Sequence, residues 1–158
     1  MERSHLNAKL HLYRSSDGSV GQHIVIFDSN FLLLPSQHKL DIYTELERIL
    51  PEPATIRIYS ALFLELEKKI HNLSPTVKLA REYKLARQIL EQHPHDLIEL
   101  KPVEGIHVDD FLLNEAVGLK NKGNYVYLAT NDAALRKKCN MHQISTIYAR
   151  GLQKLEIG

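Results

Sequence analysis

Four carboxylates in this chain stand where an acid can take part in chemistry. Asp28 and Asp132 each follow a short apolar run, Ile24-Val25-Ile26-Phe27 and Tyr125-Val126-Tyr127-Leu128-Ala129. Glu65 falls in the second turn of a helical pattern, and Asp109 opens another beside Asp110. The apolar runs read as strands buried on both faces of a parallel sheet. A carboxylate at the carboxyl end of such a strand sits where open α/β sheets bind ligands. The plainer alternative is that Asp28 caps the next helix or turn, and that two acids at 109 and 110 serve only a helix dipole. The recurrence of the pattern favours a site.

If the first and fourth strands are neighbours, Asp28, Glu65, Asp109 and Asp132 converge at one edge of the sheet. Carboxylates that close raise one another's pKa unless cations sit among them. Oxygen ligands without cysteine or an obvious histidine select Mg2+ or Mn2+ over zinc. Such a cluster suits hydrolysis of a phosphate ester, in which metal-activated water attacks and the metal offsets charge on the attacking and leaving oxygens. Asn30 and Thr130 are expected to orient ligands or water, with Asp110 as a helper or a helix-start acid.

The elements that must position these groups can be read in order. Residues 1–22 are polar and without a sustained period, and read as a flexible tail, with room for a short hairpin. Strands are expected over 23–27, 55–59, 96–100, 125–129 and 144–148, five in all. Helices are expected over about 38–50, from Ser60, from the Ser74-Pro75 start to about 92, from Val108 to Gly123, and over 133–138. The residues after 148 read as a short polar tail. Strand and helix alternate, which predicts an α/β fold: one domain in three layers, with a mostly parallel five-stranded sheet flanked by helices.

Composition narrows the function classes. The 158 residues carry 20 Lys and Arg against 19 Asp and Glu, a net charge of +1. Setting Asp28, Glu65, Asp109, Asp110 and Asp132 aside as one pocket leaves 14 acidic against 20 basic residues. A basic surface around an acidic hole suits a polyanionic substrate that meets metal ions. On the helix after Ser74-Pro75, Lys78, Arg81, Lys84 and Arg87 recur every three residues, either as a phosphate-contacting arm or as an ordinary solvated face. Cys139 is the only cysteine, so no internal disulfide or thiolate zinc site forms. No apolar run approaches bilayer length and no signal peptide is evident, which leads to the expectation of a cytoplasmic protein. His93-Pro94-His95 reads as a turn rather than a metal tract.

The set Phe27-Asp28-Ser29-Asn30-Phe31-Leu32-Leu33, Leu64-Glu65-Leu66-Glu67, Val108-Asp109-Asp110 and Ala129-Thr130-Asn131-Asp132 resembles a PIN domain, over residues 23–150. Within that family the chain looks most like the archaeal and eukaryotic branch linked to ribosomal RNA processing. Glu65-Leu66-Glu67-Lys68 and the closing Ile147-Tyr148-Ala149-Arg150-Gly151 carry that likeness, while the toxin ribonucleases share the same core. The resemblance implies a metal-dependent endoribonuclease over 23–158, with Asp28, Glu65, Asp109 and Asp132 as catalytic and metal-binding acids, Mg2+ or Mn2+ as cofactor and RNA as partner. An antitoxin partner belongs only to the toxin alternative, and the sequence leaves a homodimer open. A catalytically weak RNA-binding or assembly module on the same fold is the other alternative.

Other chemistries fit less well. A haloacid-dehalogenase-type phosphatase needs a second Asp where this chain has Asn30. A receiver domain needs a Lys where it has Ala149-Arg150. The Gly-rich motif of a P-loop is missing.

Overall fold

The computed structural model describes residues 21–72, 77–100 and 102–158. The amino-terminal tail expected over 1–22 therefore lies outside the described residues except for its last two. These already belong to the fold, because the Tyr125 N–H donates to the Gln22 carbonyl at 2.8 Å. The Ser74-Pro75 helix start also lies outside the described residues.

β1 (His23–Phe27) is buried along its whole length and forms the centre of the sheet. It pairs in parallel with β2 (Ala54–Tyr59) on one side and β4 (Tyr125–Ala129) on the other. β3 (Asp96–Ile98) extends the sheet beyond β2, and β5 (Ser145–Arg150) extends it beyond β4. The strand order is β3-β2-β1-β4-β5-β6. The chain winds outward from β1 in one direction, returns, and winds outward from β4 in the other. That reversal opens a crevice between the carboxyl ends of β1 and β4, the place where such sheets take ligands.

Seven helices connect the strands among the described residues. Between β1 and β2 run α1 (Ser29–Leu32), α2 (Leu34–His38) and α3 (Ile42–Ile49). α4 (Ser60–Asn72) and α5 (Val77–Glu91) lead from β2 to β3, α6 (Val108–Asn121) leads to β4, and α7 (Ala133–Met141) to β5. Side chains alternate across the sheet, so Phe27 packs on Phe31 of α1 and Tyr43 of α3 on one face. Tyr59 meets Phe111 of α6 edge-on on the other. The result is three layers with a buried core on each side of the sheet.

Three expectations need correction. The sheet has six strands rather than five, because Lys154–Ile157 forms β6, antiparallel to β5. This segment looked like a polar tail because Leu155 is its one core residue. Its edge is covered by α3: the Leu155 N–H donates to Glu45 Oε1 at 2.9 Å, and Arg48 donates to the Leu155 carbonyl at 3.1 Å. Side chains that take up edge backbone groups block further strand pairing. The single helix expected over 38–50 begins at Ile42, because Lys39 adopts a left-handed φ of 53° that ends α2. β3 stops at Ile98, two residues short of expectation.

Candidate active site

Asp28 leaves the end of β1 almost fully buried, with 3% of its surface exposed. Its backbone stays in the sheet, since its N–H donates to the Ala129 carbonyl at 2.9 Å. One carboxylate oxygen, Oδ1, accepts the Ser29 N–H at 2.7 Å, and Oδ2 accepts the Thr130 hydroxyl at 2.7 Å. Thr130 Oγ1 in turn accepts the Asp132 N–H at 3.0 Å, and Asp132 Oδ1 accepts the Leu135 N–H at 3.0 Å as the cap of α7. Asn131 fixes the same loop to β5 by accepting the Ala149 N–H at 2.8 Å. Asp28 likewise caps α1. Capping and membership of the acidic cluster are therefore compatible: the bonds that start each helix also aim its acid.

Glu65 reaches the cluster from α4, where its Oε1 accepts the Ser29 hydroxyl at 2.8 Å. Asp109 reaches it from the first turn of α6. Burial, above all, pushes the Asp28 carboxyl up to about 6; the hydrogen bonds from Thr130 and Ser29 oppose this, and the charges of Asp109 and Glu65 add to it. Asp109 is also raised, first by burial, then by Asp132 and Glu65, while Lys138 pulls the other way. Asp28, Glu65 and Asp109 thus lie within electrostatic reach of one another, and Asp132 within reach of Asp109. Among the described residues, no three His, Cys, Asp or Glu side chains form a ready-made metal cage.

The supporting residues sort differently from the sequence expectation. Thr130 donates to Asp28, whereas Asn30 is exposed and Ser29 holds both Asp28 and Glu65. Choosing Asn30 assumes the two-residue alternation of a strand, whereas the chain turns into α1 directly after Asp28. The usable signal was the serine at the first helical position behind a buried acid. Asp110 points to Lys138, whose Nζ lies 3.1 Å from Asp110 Oδ1.

The basic series on α5 also divides. Lys78, Arg81 and Lys84 are exposed. Arg87 instead packs 4.1 Å over the Phe63 ring and donates to the Tyr83 hydroxyl at 3.3 Å, while Tyr83 donates to Glu67 at 2.7 Å. Arg87 therefore ties α5 to α4. A hollow of about 490 Å³ lined by Arg48, Ile49 and Lys154–Ile157 lies at the β6 edge and includes none of Asp28, Glu65, Asp109 and Asp132.

Four acids from separate elements, gathered at the carboxyl ends of β1 and β4, define an α/β protein with an acidic crevice at its topological switch point. The model of the PIN-like domain family matches residues 25–152, and the chain belongs to that family. It is 30% identical over 135 residues to Ribonuclease VapC4 of Methanocaldococcus jannaschii, a match that spans 84% of this chain and 95% of that protein. The structure of the PIN domain endonuclease Utp24 superposes with a TM-score of 0.64 at 21% identity, over 85% of this chain and 90% of the other, and shares its fold.

Proposed function

We propose that this chain is a metal-dependent endoribonuclease that hydrolyses RNA phosphodiester bonds at Asp28, Glu65, Asp109 and Asp132. The observation that carries the reading is the buried Asp28 carboxyl, pushed up to about 6 while Asp109 and Glu65 add their charges to it. Evolution of a purely structural protein would have little reason to bury an acid against other acids without a compensating cation.

The donor set fits a hard divalent cation. Every candidate ligand is a carboxylate oxygen, and the nearby Cys139 thiol stays protonated, raised to about 11 by burial and then by Asp109 and Asp28. Asp28, Glu65, Asp109 and Asp132 would hold Mg2+ or Mn2+. When bound, the ion would lower the pKa of a water and offset charge on the phosphate.

The protein's own groups do the rest. Thr130 and Ser29 fix both oxygens of Asp28, so that it presents its remaining lone pairs to the crevice in one orientation. The Ser29 hydroxyl holds Glu65 beside it, and the α7 cap holds Asp132. We further propose that Lys78, Arg81 and Lys84 of α5 contact RNA phosphates. Alanine at all three should weaken RNA binding and flatten its salt dependence, and unchanged affinity would reduce α5 to scaffold.

RNA as substrate gains support from the ribonuclease relative at 30% identity. Processing of ribosomal RNA precursors, in the cytoplasm, is the role we propose on the motif resemblance; growth arrest on expression, relieved by an antitoxin, would replace it with the toxin role. The deciding experiment is cleavage of a labelled, structured ribosomal RNA fragment with and without Mn2+, wild type beside Asp28→Asn. Cutting that requires both the metal and Asp28 is the expected result. Tight binding by both proteins without cutting would make the chain an RNA-binding module.

A further inference from the structure

α7 carries the acid Asp132 at its start and a basic run, Arg136-Lys137-Lys138, one to two turns later. Arg136 is committed to the fold: its guanidinium carbon stacks 3.7 Å over the Tyr148 ring. Lys138 is different. Its Nζ sits 3.1 Å from Asp110 Oδ1, with side chains 51% and 45% exposed, at the rim of the acidic crevice. No other ion pair among the described residues includes Asp28, Glu65, Asp109, Asp110 or Asp132.

We propose that Lys138 is a substrate-contacting residue, whose ammonium rests on Asp110 in the free protein and takes a non-bridging oxygen of an RNA phosphate at the crevice rim. The proposal rests on the ribonuclease reading above and adds a specific phosphate contact to it. An ammonium has three N–H donors, so it can hold Asp110 and still bond a phosphate oxygen. An exposed pair of this kind contributes little to stability, so the cation is readily shared. The electrostatic situation demands such a group: an RNA strand approaching five carboxylates is repelled, and among the described residues Lys138 is the cation that forms an ion pair with one of them, Asp110. Asp110 then serves as the resting partner of Lys138 rather than as a further member of the acid quartet.

The rival role is a strut, in which the pair merely ties α7 to the first turn of α6. The two roles separate in a charge-swap test. Binding of a labelled single-stranded RNA is measured in EDTA across a NaCl series, for wild type, Lys138→Gln, Lys138→Arg and the double variant Asp110→Lys with Lys138→Asp. A phosphate contact predicts weaker binding by Lys138→Gln, with the slope of log affinity against log salt reduced by about 0.7, the amount one single-strand phosphate contributes. It also predicts retention by Lys138→Arg and no rescue by the swap. An unchanged slope in Lys138→Gln, or full rescue by the swap, overturns the proposal in favour of the strut. Absence of RNA binding by the folded wild type in EDTA overturns the contact alone, while the ribonuclease reading is judged separately by cleavage with Mn2+. Because EDTA removes cleavage from the readout, a Lys138 effect in a protein that never cuts RNA would leave the contact standing and remove only the nuclease activity.

Discussion

At its amino end β1 buries His23, and at its carboxyl end it runs into the buried Asp28, so one strand holds an ionisable side chain at each end. The two ends treat these groups in opposite ways. His23 Nε2 meets Glu52 at 2.8 Å and Nδ1 lies 3.2 Å from the Tyr127 hydroxyl, with the ring stacked 4.7 Å from that of Tyr125. Glu52 on one ring nitrogen and the Tyr127 hydroxyl on the other leave every polar atom of the ring with a partner. Asp28 also has both oxygens bonded, yet its charge faces other acids, with no basic side chain among the described residues paired to it. Hydrogen bonding is complete at both ends, but only His23 faces a partner of complementary character, the acid Glu52. A closed polar network holds a fold together, whereas a hydrogen-bonded but electrostatically open one is prepared for a visitor.

The sharpest way to break this contrast is to remove the charge at Asp28. Asp28→Asn should lower cleavage at least about 100-fold, the scale for losing one electrostatic group of a reacting centre. The variant should stay folded, because an amide suffers less from burial among acids. Unfolding, seen by circular dichroism, would mean that Asp28 is a structural cap.

Proton linkage gives the next largest effect. The folded Asp28 carboxyl lies near 6, above its ordinary 3.8, so between those values the native state binds more proton than the unfolded chain. Metal-free protein should therefore lose stability as pH rises through that window, by on the order of 3 kcal/mol from this group, and regain it below about pH 4. Urea unfolding in EDTA at pH 4.5 and 7.5, wild type against Asp28→Asn, isolates the contribution of this carboxyl. An equal pH dependence in the two proteins would refute it.

His23→Ala probes the other end. It should destabilise the protein by about 2 kcal/mol, by leaving the Tyr127 hydroxyl and Glu52 without their partner, and leave cleavage unchanged. A loss of activity in the folded variant would erase the distinction between the two ends. The smallest effect is expected for Ser29→Ala, which removes the bond to Glu65 and keeps the backbone bond to Asp28. Cleavage should drop about tenfold with little change in unfolding midpoint, as for other groups that orient a site's acids. Wild-type rates would show that Glu65 needs no such support.

The fate of particular residues shows what could be read in advance. Asp28 is legible because a carboxylate directly after a buried apolar run is a local signal, carried by neighbours in sequence. The sequence points to Asn30 rather than Ser29 because the switch from strand to helix, which falls between Asp28 and Ser29, carries no strong local signal. Arg87 belonged to a regular basic series, and only the position of Phe63 against α5 withdraws it from the surface. β6 escaped notice because its edge is protected by Glu45 and Arg48 from a helix about 110 residues earlier, as the Glu45–Leu155 separation records.

The alternation of strand and helix, and the acids Asp28 and Asp132 just past the two central strands, are written in the sequence alone. These follow from side-chain periodicity and from cap residues, which act over a few positions. The tertiary structure alone decided that β1 lies beside β4, that Thr130 bonds Asp28 across 102 residues, and that Lys138 rests on Asp110. Strand order and such long-range partners are settled by how the helices cover the two faces of the sheet, a choice made by packing of the whole core and encoded in no single segment.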